Sequence, residues 1–207
     1  MPDTASVLKS LIIFVKNPEA GKVKTRLAKD IGESNTLTVY KHLLGHTRQI
    51  SSLVNAKRLL FYADKISWRD EWPEKHFNKF VQQGEDLGLR MLHAFQTSFK
   101  QGNNLTIIIG SDCIDLSPDL IEKAFLELQT HDFVVGPAKD GGYYLLGMKY
   151  PEEKVFKNKA WSTGTVCNDT ISDIKSLSKT FYLLNLLSDV DTIADMNEEL
   201  RTLINPL

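Results

Sequence analysis

Five apolar runs of strand length punctuate this chain: "SLIIFV" (10–15), "RLLFYA" (58–63), "LTIIIG" (105–110), "FVVGPA" (133–138) and "YYLLGM" (143–148). Their hydrophobicity is continuous rather than alternating, which suits strands covered on both faces, as in a parallel or mixed sheet between helices. The stretches between them carry helical period. Leu37, Tyr40, Leu44, Thr47 and Ile50 share one face, and Leu87, Met91, Leu92, Phe95 and Phe99 form a second stripe. Ser117-Pro118-Asp119 predicts a third helix, with a capping hydroxyl, a proline at the first helical position and an acid suited to the helix dipole. "KAWSTGTV" (159–166) leads into another, and Thr192 with Asp195 predicts the start of the last. This alternation is the α/β pattern, in which ligands gather at the carboxyl ends of the strands. The residues just after each strand are therefore the candidates for function.

A chain of 207 residues with no repeat, low-complexity tract or Pro/Gly/Ser linker is most simply one domain, 1–207. The formal net charge of −1 excludes the broad basic field that drives binding to a nucleic acid polymer, so an anion site here must be local. Cys113 and Cys167 lack metal-site spacing and read as reduced thiols of a cytoplasmic protein. The leading "LIIFV" is too short for a signal-peptide core or a membrane span.

Behind the first strand stands "FVKNPEAGKVKTRLAKDIG" (14–32), which gathers Lys16, Lys22, Lys24 and Arg26 around Pro18, Gly21 and Thr25. It is not a Walker A loop, since Lys16 and Val23 replace the required glycine and hydroxyl, and it is not GxGxxG either. A glycine that admits a phosphate and cations that neutralise it make an anion site, against the alternative of a solvated basic loop. After the "LTIIIG" strand come Asp112 and Asp115. Asp115 suits a helix-capping role near Ser117, whereas Asp112, delivered by a buried strand to the sheet's end, suits a hard divalent cation. Asp140-Gly141-Gly142 is a hairpin turn whose glycines also let a substrate lie against backbone. In "SDVDTIADM" (188–196), Asp195 reads as a cap and Asp191 as a carboxylate free to reach outward.

In this order, "FVKNPEAGKVKTRLAKDIG", "GEDLGLRM" (84–91), "IGSDCIDL" (109–116) and "GPAKDGGYYLLGM" (136–148) resemble the motif series of the DUF2064 family. That family is also called the selenodomain-associated transferase 1 group, within the glycosyltransferase A (GT-A), or nucleotide-diphospho-sugar transferase, superfamily. The chain departs from it at Ile114, where the family usually has proline. The resemblance implies a three-layer sandwich, a mixed and mostly parallel sheet flanked by helices, with a nucleotide over the first strand's loop.

By that similarity, Lys16, Pro18, Gly21, Lys22, Lys24, Thr25 and Arg26 would hold the nucleotide phosphates. Asp112 and Asp191 would bind Mg2+ or Mn2+. Asp140, Gly141, Gly142, Tyr143 and Tyr144 would face the sugar or acceptor, with Asp140 as base and Lys24 and Arg26 stabilising the leaving phosphate. Successive side chains on a strand point to opposite faces, so one of the two tyrosines is expected in the core and the other in the cleft. Trp161 could add a second aromatic surface or pack in the core.

The implied activity is metal-dependent glycosyl transfer from a nucleotide-diphospho-sugar to a small-molecule, lipid or saccharide acceptor. The alternatives are nucleotidyl transfer from an NTP with release of pyrophosphate, and noncatalytic nucleotide binding.

Overall fold

The computed structural model describes residues 7–204. Seven strands form one sheet in the order β3-β2-β1-β4-β6-β5-β7: β1 (Lys9–Val15), β2 (Lys57–Tyr62), β3 (Asn78–Val81), β4 (Leu105–Ile109), β5 (Phe133–Pro137), β6 (Tyr143–Met148) and β7 (Phe181–Leu183). β1 is parallel to β2 and β4, β2 to β3, and β5 to β7, while β6 runs antiparallel to both of its neighbours. One reversed strand in seven is the mixed, mostly parallel sheet expected above.

Helices cover both faces. α1 (Thr25–Leu53), α2 (Leu87–Lys100), α3 (Pro118–Thr130), α4 (Val166–Ser176) and α5 (Glu198–Ile204) complete the fold. The alternation of side chains along β1 divides the core. Leu11, Ile13 and Val15 pack with Tyr40 and Leu44 of α1 and Phe125 of α3, whereas Ile12 packs with Met91 and Phe95 of α2 and Ile174 of α4. Ser117 caps α3 as expected, its hydroxyl accepting the Leu120 N–H. Thr192 does not begin the last helix. With Asp195 it forms a capping box on a single 3-10 turn (Ile193–Asp195), and α5 starts after Asn197, whose side chain accepts the Leu200 N–H.

The chain order fixes where a ligand can sit. From β1 it moves outward through β2 to β3, then returns to place β4 on the other side of β1. The crevice at the carboxyl ends of β1 and β4 is thus a topological switch point, the usual ligand position in open α/β sheets.

Candidate active site

A cleft of about 590 Å³ opens at those ends, within the range of small-molecule sites. The loop after β1 forms one wall and the loop after β4 the floor. Tyr40 of α1 joins them: its hydroxyl accepts the Lys16 N–H at 2.9 Å, donates to the Lys16 carbonyl at 3.2 Å and meets Ser111 Oγ at 3.4 Å. Burial, and then the negative charge of Asp112, push this phenol up to about 12, so it is a neutral pin at physiological pH.

Lys24 stands at the N-terminus of α1 with φ 46° and ψ 48°, a left-handed conformation uncommon for a residue with a side chain. Its ammonium lies 2.7 Å from Asp112 Oδ2 and 2.8 Å from Asp191 Oδ1, with the side chain 5% exposed. Arg26 adds a contact of 3.3 Å to Asp191 Oδ2, from a guanidinium that is mostly exposed. Burial by itself would lower the Lys24 pKa, but attraction by Asp112 and then Asp191 outweighs it and holds the group above its ordinary value. The loop cations were expected to confront a ligand's phosphates. The most buried of them is instead committed to two carboxylates of the protein.

The loops carrying those carboxylates are tied together. The Val190 N–H donates to the Asp112 carbonyl at 2.9 Å. Beneath lies a small apolar cluster of Leu27, Val39, Leu43, Val190, Met196 and Leu200, and Ile114 packs against it. Ile114 thus anchors the Asp112 loop by apolar packing. Asp189 joins the same rim, a residue the sequence reading passed over in favour of Asp191. Burial first, and then the charge of Asp112, raise its carboxyl to about 7. Its spacing of two from Asp191 allows a shared face on extended chain, but its burial comes from loops remote in sequence.

The remaining candidates are placed as follows. Lys16, Lys22, Thr25, Asp140, Gly142, Tyr143 and Tyr144 line the cleft, whereas Pro18, Gly21 and Gly141 do not. Gly21 serves its turn, at φ +75°. Gly141 is required by a close approach, since a Cβ there would sit 2.0 Å from the Gly164 carbonyl oxygen. Lys22 is exposed and paired with Glu19 at 2.6 Å. The Asp140 side chain accepts the Gly142 N–H at 2.8 Å and is otherwise open to solvent. Tyr144 is the buried ring of the pair, its hydroxyl donating to the Asn185 carbonyl at 2.9 Å. Tyr143 is half-buried, but its hydroxyl turns inward to Met91 Sδ at 3.6 Å, so it offers the cleft a ring without a polar handle.

The "GEDLGLRM" segment, read from the sequence as a family motif and part of a helix but given no place in the site, builds the opposite wall. Leu87, Arg90 and Met91 line it together with Trp161, which lies against Gly88 so closely that a Cβ there would come within 2.4 Å of the indole. Cys113 is buried, and burial and then Asp189 push its thiol up to about 12, away from the thiolate a nucleophile needs.

The donor set can be tested for a divalent cation. Asp112 and Asp191 present carboxylate oxygens to one shared position, the chemistry that Mg2+ and Mn2+ prefer. Among the described residues no group of three or more His, Cys, Asp or Glu side chains is placed to hold a metal by itself. A site with two carboxylates, completed by water and substrate phosphates, is the usual Mg2+ arrangement, and the residues present fit it.

The chain matches, over residues 46–163, the family described as "Uncharacterized protein conserved in bacteria (DUF2064)". It belongs to that family. Among solved structures, this DUF2064 protein is similar to a proposed nucleotide-diphospho-sugar transferase from Desulfovibrio desulfuricans G20. The two share 30% identity and a TM-score of 0.84, covering 95% of this chain and 96% of the other. The manganese complex of Rv0371C from Mycobacterium tuberculosis H37Rv has the same fold at 12% identity and a TM-score of 0.56, covering 98% and 100% of the two chains. So does CMP:2-keto-3-deoxy-manno-octonic acid synthetase in complex with CTP, at 10% identity and a TM-score of 0.54, covering 97% and 100%. No curated protein matches. Among the described residues, no helix is long and apolar enough to cross a membrane.

Proposed function

We propose that this DUF2064 protein is a metal-dependent transferase acting on a nucleotide-diphospho-sugar donor. The observation that carries the reading is the convergence of Lys24, Asp112 and Asp191 on one point of the switch-point cleft. The similarity to the Desulfovibrio protein supports the donor class. Asp112 and Asp191 are the residues that would hold Mg2+ or Mn2+, which when bound supplies positive charge to a departing phosphate. Arg26 and Lys16, cations on the cleft wall without a buried partner, orient the diphosphate and exclude alternative poses. The ring of Tyr143 and the indole of Trp161 give the sugar or acceptor apolar faces. Asp140, solvent-open at the rim, accepts the acceptor's hydroxyl proton if transfer inverts the anomeric centre.

Nucleotidyl transfer uses the same clamp with a different bond broken, and the fold shared with the CTP-bound synthetase favours keeping it as the second reading. The by-product decides. Purified protein is incubated with Mn2+ and panels of nucleotide sugars or NTPs, with phosphorylated metabolites and sugars as acceptors. Release of nucleoside phosphate from a nucleotide sugar supports the proposal, and release of pyrophosphate from an NTP replaces it with the second reading. A protein that releases neither, and whose melting temperature no nucleotide raises, is not a nucleotide-dependent transferase.

A further inference from the structure

Lys24 has an arrangement that the proposed chemistry does not by itself explain. A cation meant to meet substrate phosphates would be expected to reach the cleft from solvent, as Arg26 does with 65% of its side chain exposed and a single 3.3 Å contact to Asp191. Lys24 is instead almost wholly buried and bridges the two carboxylates suited to a metal, from a left-handed backbone that aims its side chain into the site. A left-handed backbone at a residue with a side chain is uncommon and is held there by the surrounding structure.

The ammonium occupies the point on which both carboxylates converge. A divalent cation arriving alone must either share that point with a positive charge or displace it. Displacement would strip a buried ammonium of both its counter-charges, and an uncompensated buried charge is costly. A cation arriving with a diphosphate brings new anionic partners for the lysine, so the same displacement leaves every charge matched. We propose that Lys24 is an internal counter-ion that closes the Asp112–Asp191 pair to free divalent cations, so that metal and nucleotide phosphates enter as a unit. This rests on the transferase reading above. Because coupling between two ligands is reciprocal, the nucleotide must then also bind weakly without metal.

The test is binding of Mn2+ alone to the full chain, followed by electron paramagnetic resonance of the free ion. Lys24→Met should bind Mn2+ at least about tenfold tighter than wild type, a modest coupling by the standard of linked sites. Lys24→Arg, which keeps the charge, should stay within about threefold of wild type, and so should Arg26→Met, which removes a charge beside Asp191 without vacating the shared point. Equal Mn2+ affinity in wild type and Lys24→Met overturns the inference. An Arg26→Met gain as large as that of Lys24→Met also overturns it, because the effect would then be one of general charge.

Should Lys24→Met fail to fold, acylation of wild-type lysines by acetic anhydride, read by mass spectrometry, gives an independent answer. Lys24 should be modified far more slowly than exposed Lys22, both without ligand and with Mn2+ alone. Modification of the two at similar rates in either state overturns the closed-pair arrangement. The transferase reading is judged separately by the by-product assay: a wild type that transfers yet binds free Mn2+ as tightly as Lys24→Met keeps that reading and loses this one.

Discussion

Two lysines of this protein are buried almost equally and do opposite things. Lys79 on β3, with its side chain 1% exposed, donates to Asp70 Oδ1 and to the Ser67 carbonyl, both at 2.8 Å. Asp70 also accepts the Tyr62 hydroxyl and the Trp72 N–H, so one positive charge meets one negative charge with its lone pairs occupied. Lys24 faces two carboxylates, each more than a third exposed at the cleft, with Asp189 behind them. The first cluster is balanced and closed. The second sets Lys24 and Arg26 against Asp112 and Asp191, with the Asp189 carboxyl raised to about 7 behind them, and it opens to the cleft, where a ligand can change the balance. Burial of the lysine alone therefore does not separate the two clusters; the access of solvent to its acids does.

Four substitutions press on that contrast. Lys79→Met should be the most damaging to the fold, lowering stability by about 3 kcal/mol because it leaves Asp70 partly buried without its counter-charge. Chemical denaturation measures the loss, and the molecules that remain folded should keep wild-type nucleotide affinity. Asp112→Asn should do the converse. Turnover with the donor found in the panel should drop about a hundredfold, equivalent to about 2.7 kcal/mol, while the melting temperature stays close to wild type. A large stability loss in Asp112→Asn with unchanged turnover would make the two clusters alike and erase the distinction.

Tyr40→Phe stands between them, since the phenol pins the β1 and β4 loops beside Asp112 without forming an ion pair. It should cost about 1 kcal/mol in a denaturant titration and raise KM more than it lowers kcat. The smallest effect belongs to Lys22→Ala. The exposed pair with Glu19 is screened by solvent and contributes almost nothing to stability, and thermal-shift nucleotide affinity should change little. A strong loss there would show that the clamp extends along the whole basic loop.

The parts of the fold legible in the sequence are those where periodicity and burial coincide. The five long apolar runs became β1, β2, β4, β5 and β6 with shifts of one residue at their ends. β3 and β7 were not legible. They are sheet edges of four and three residues in which no residue is fully buried, so they carry no apolar run to read. The Thr192–Asp195 cap was a true capping signal that stopped after one 3-10 turn, because capping satisfies terminal amides and does not determine length.

At the site, Lys24, Asp112 and Asp191 stood out because each lies just beyond a strand or at a helix start, where topology leaves few places to go. Asp189 did not, since its burial depends on loops remote in sequence. The pairing of Lys24 with the two acids was equally invisible, being a contact across 88 and 167 positions. Among the glycines, Gly142 lines the cleft as expected. Gly21 turns the chain outside the cleft, while Gly88, which invites no chemical reading, is the seat of Trp161.

The satellite cluster under the site has a consequence for how such a protein can change over generations. Leu27 lies three residues beyond Lys24, Ile114 two beyond Asp112 and Val190 one before Asp191, and all three meet in that one patch of apolar packing. Interiors are close-packed, so altering a methyl group there shifts the backbone on which a charged side chain is mounted. Drift among leucine, isoleucine, valine and proline at these positions can thus reset the spacing of three charges without replacing any of them. If the proposed transferase reading holds, metal choice and donor preference become heritable through residues that touch neither.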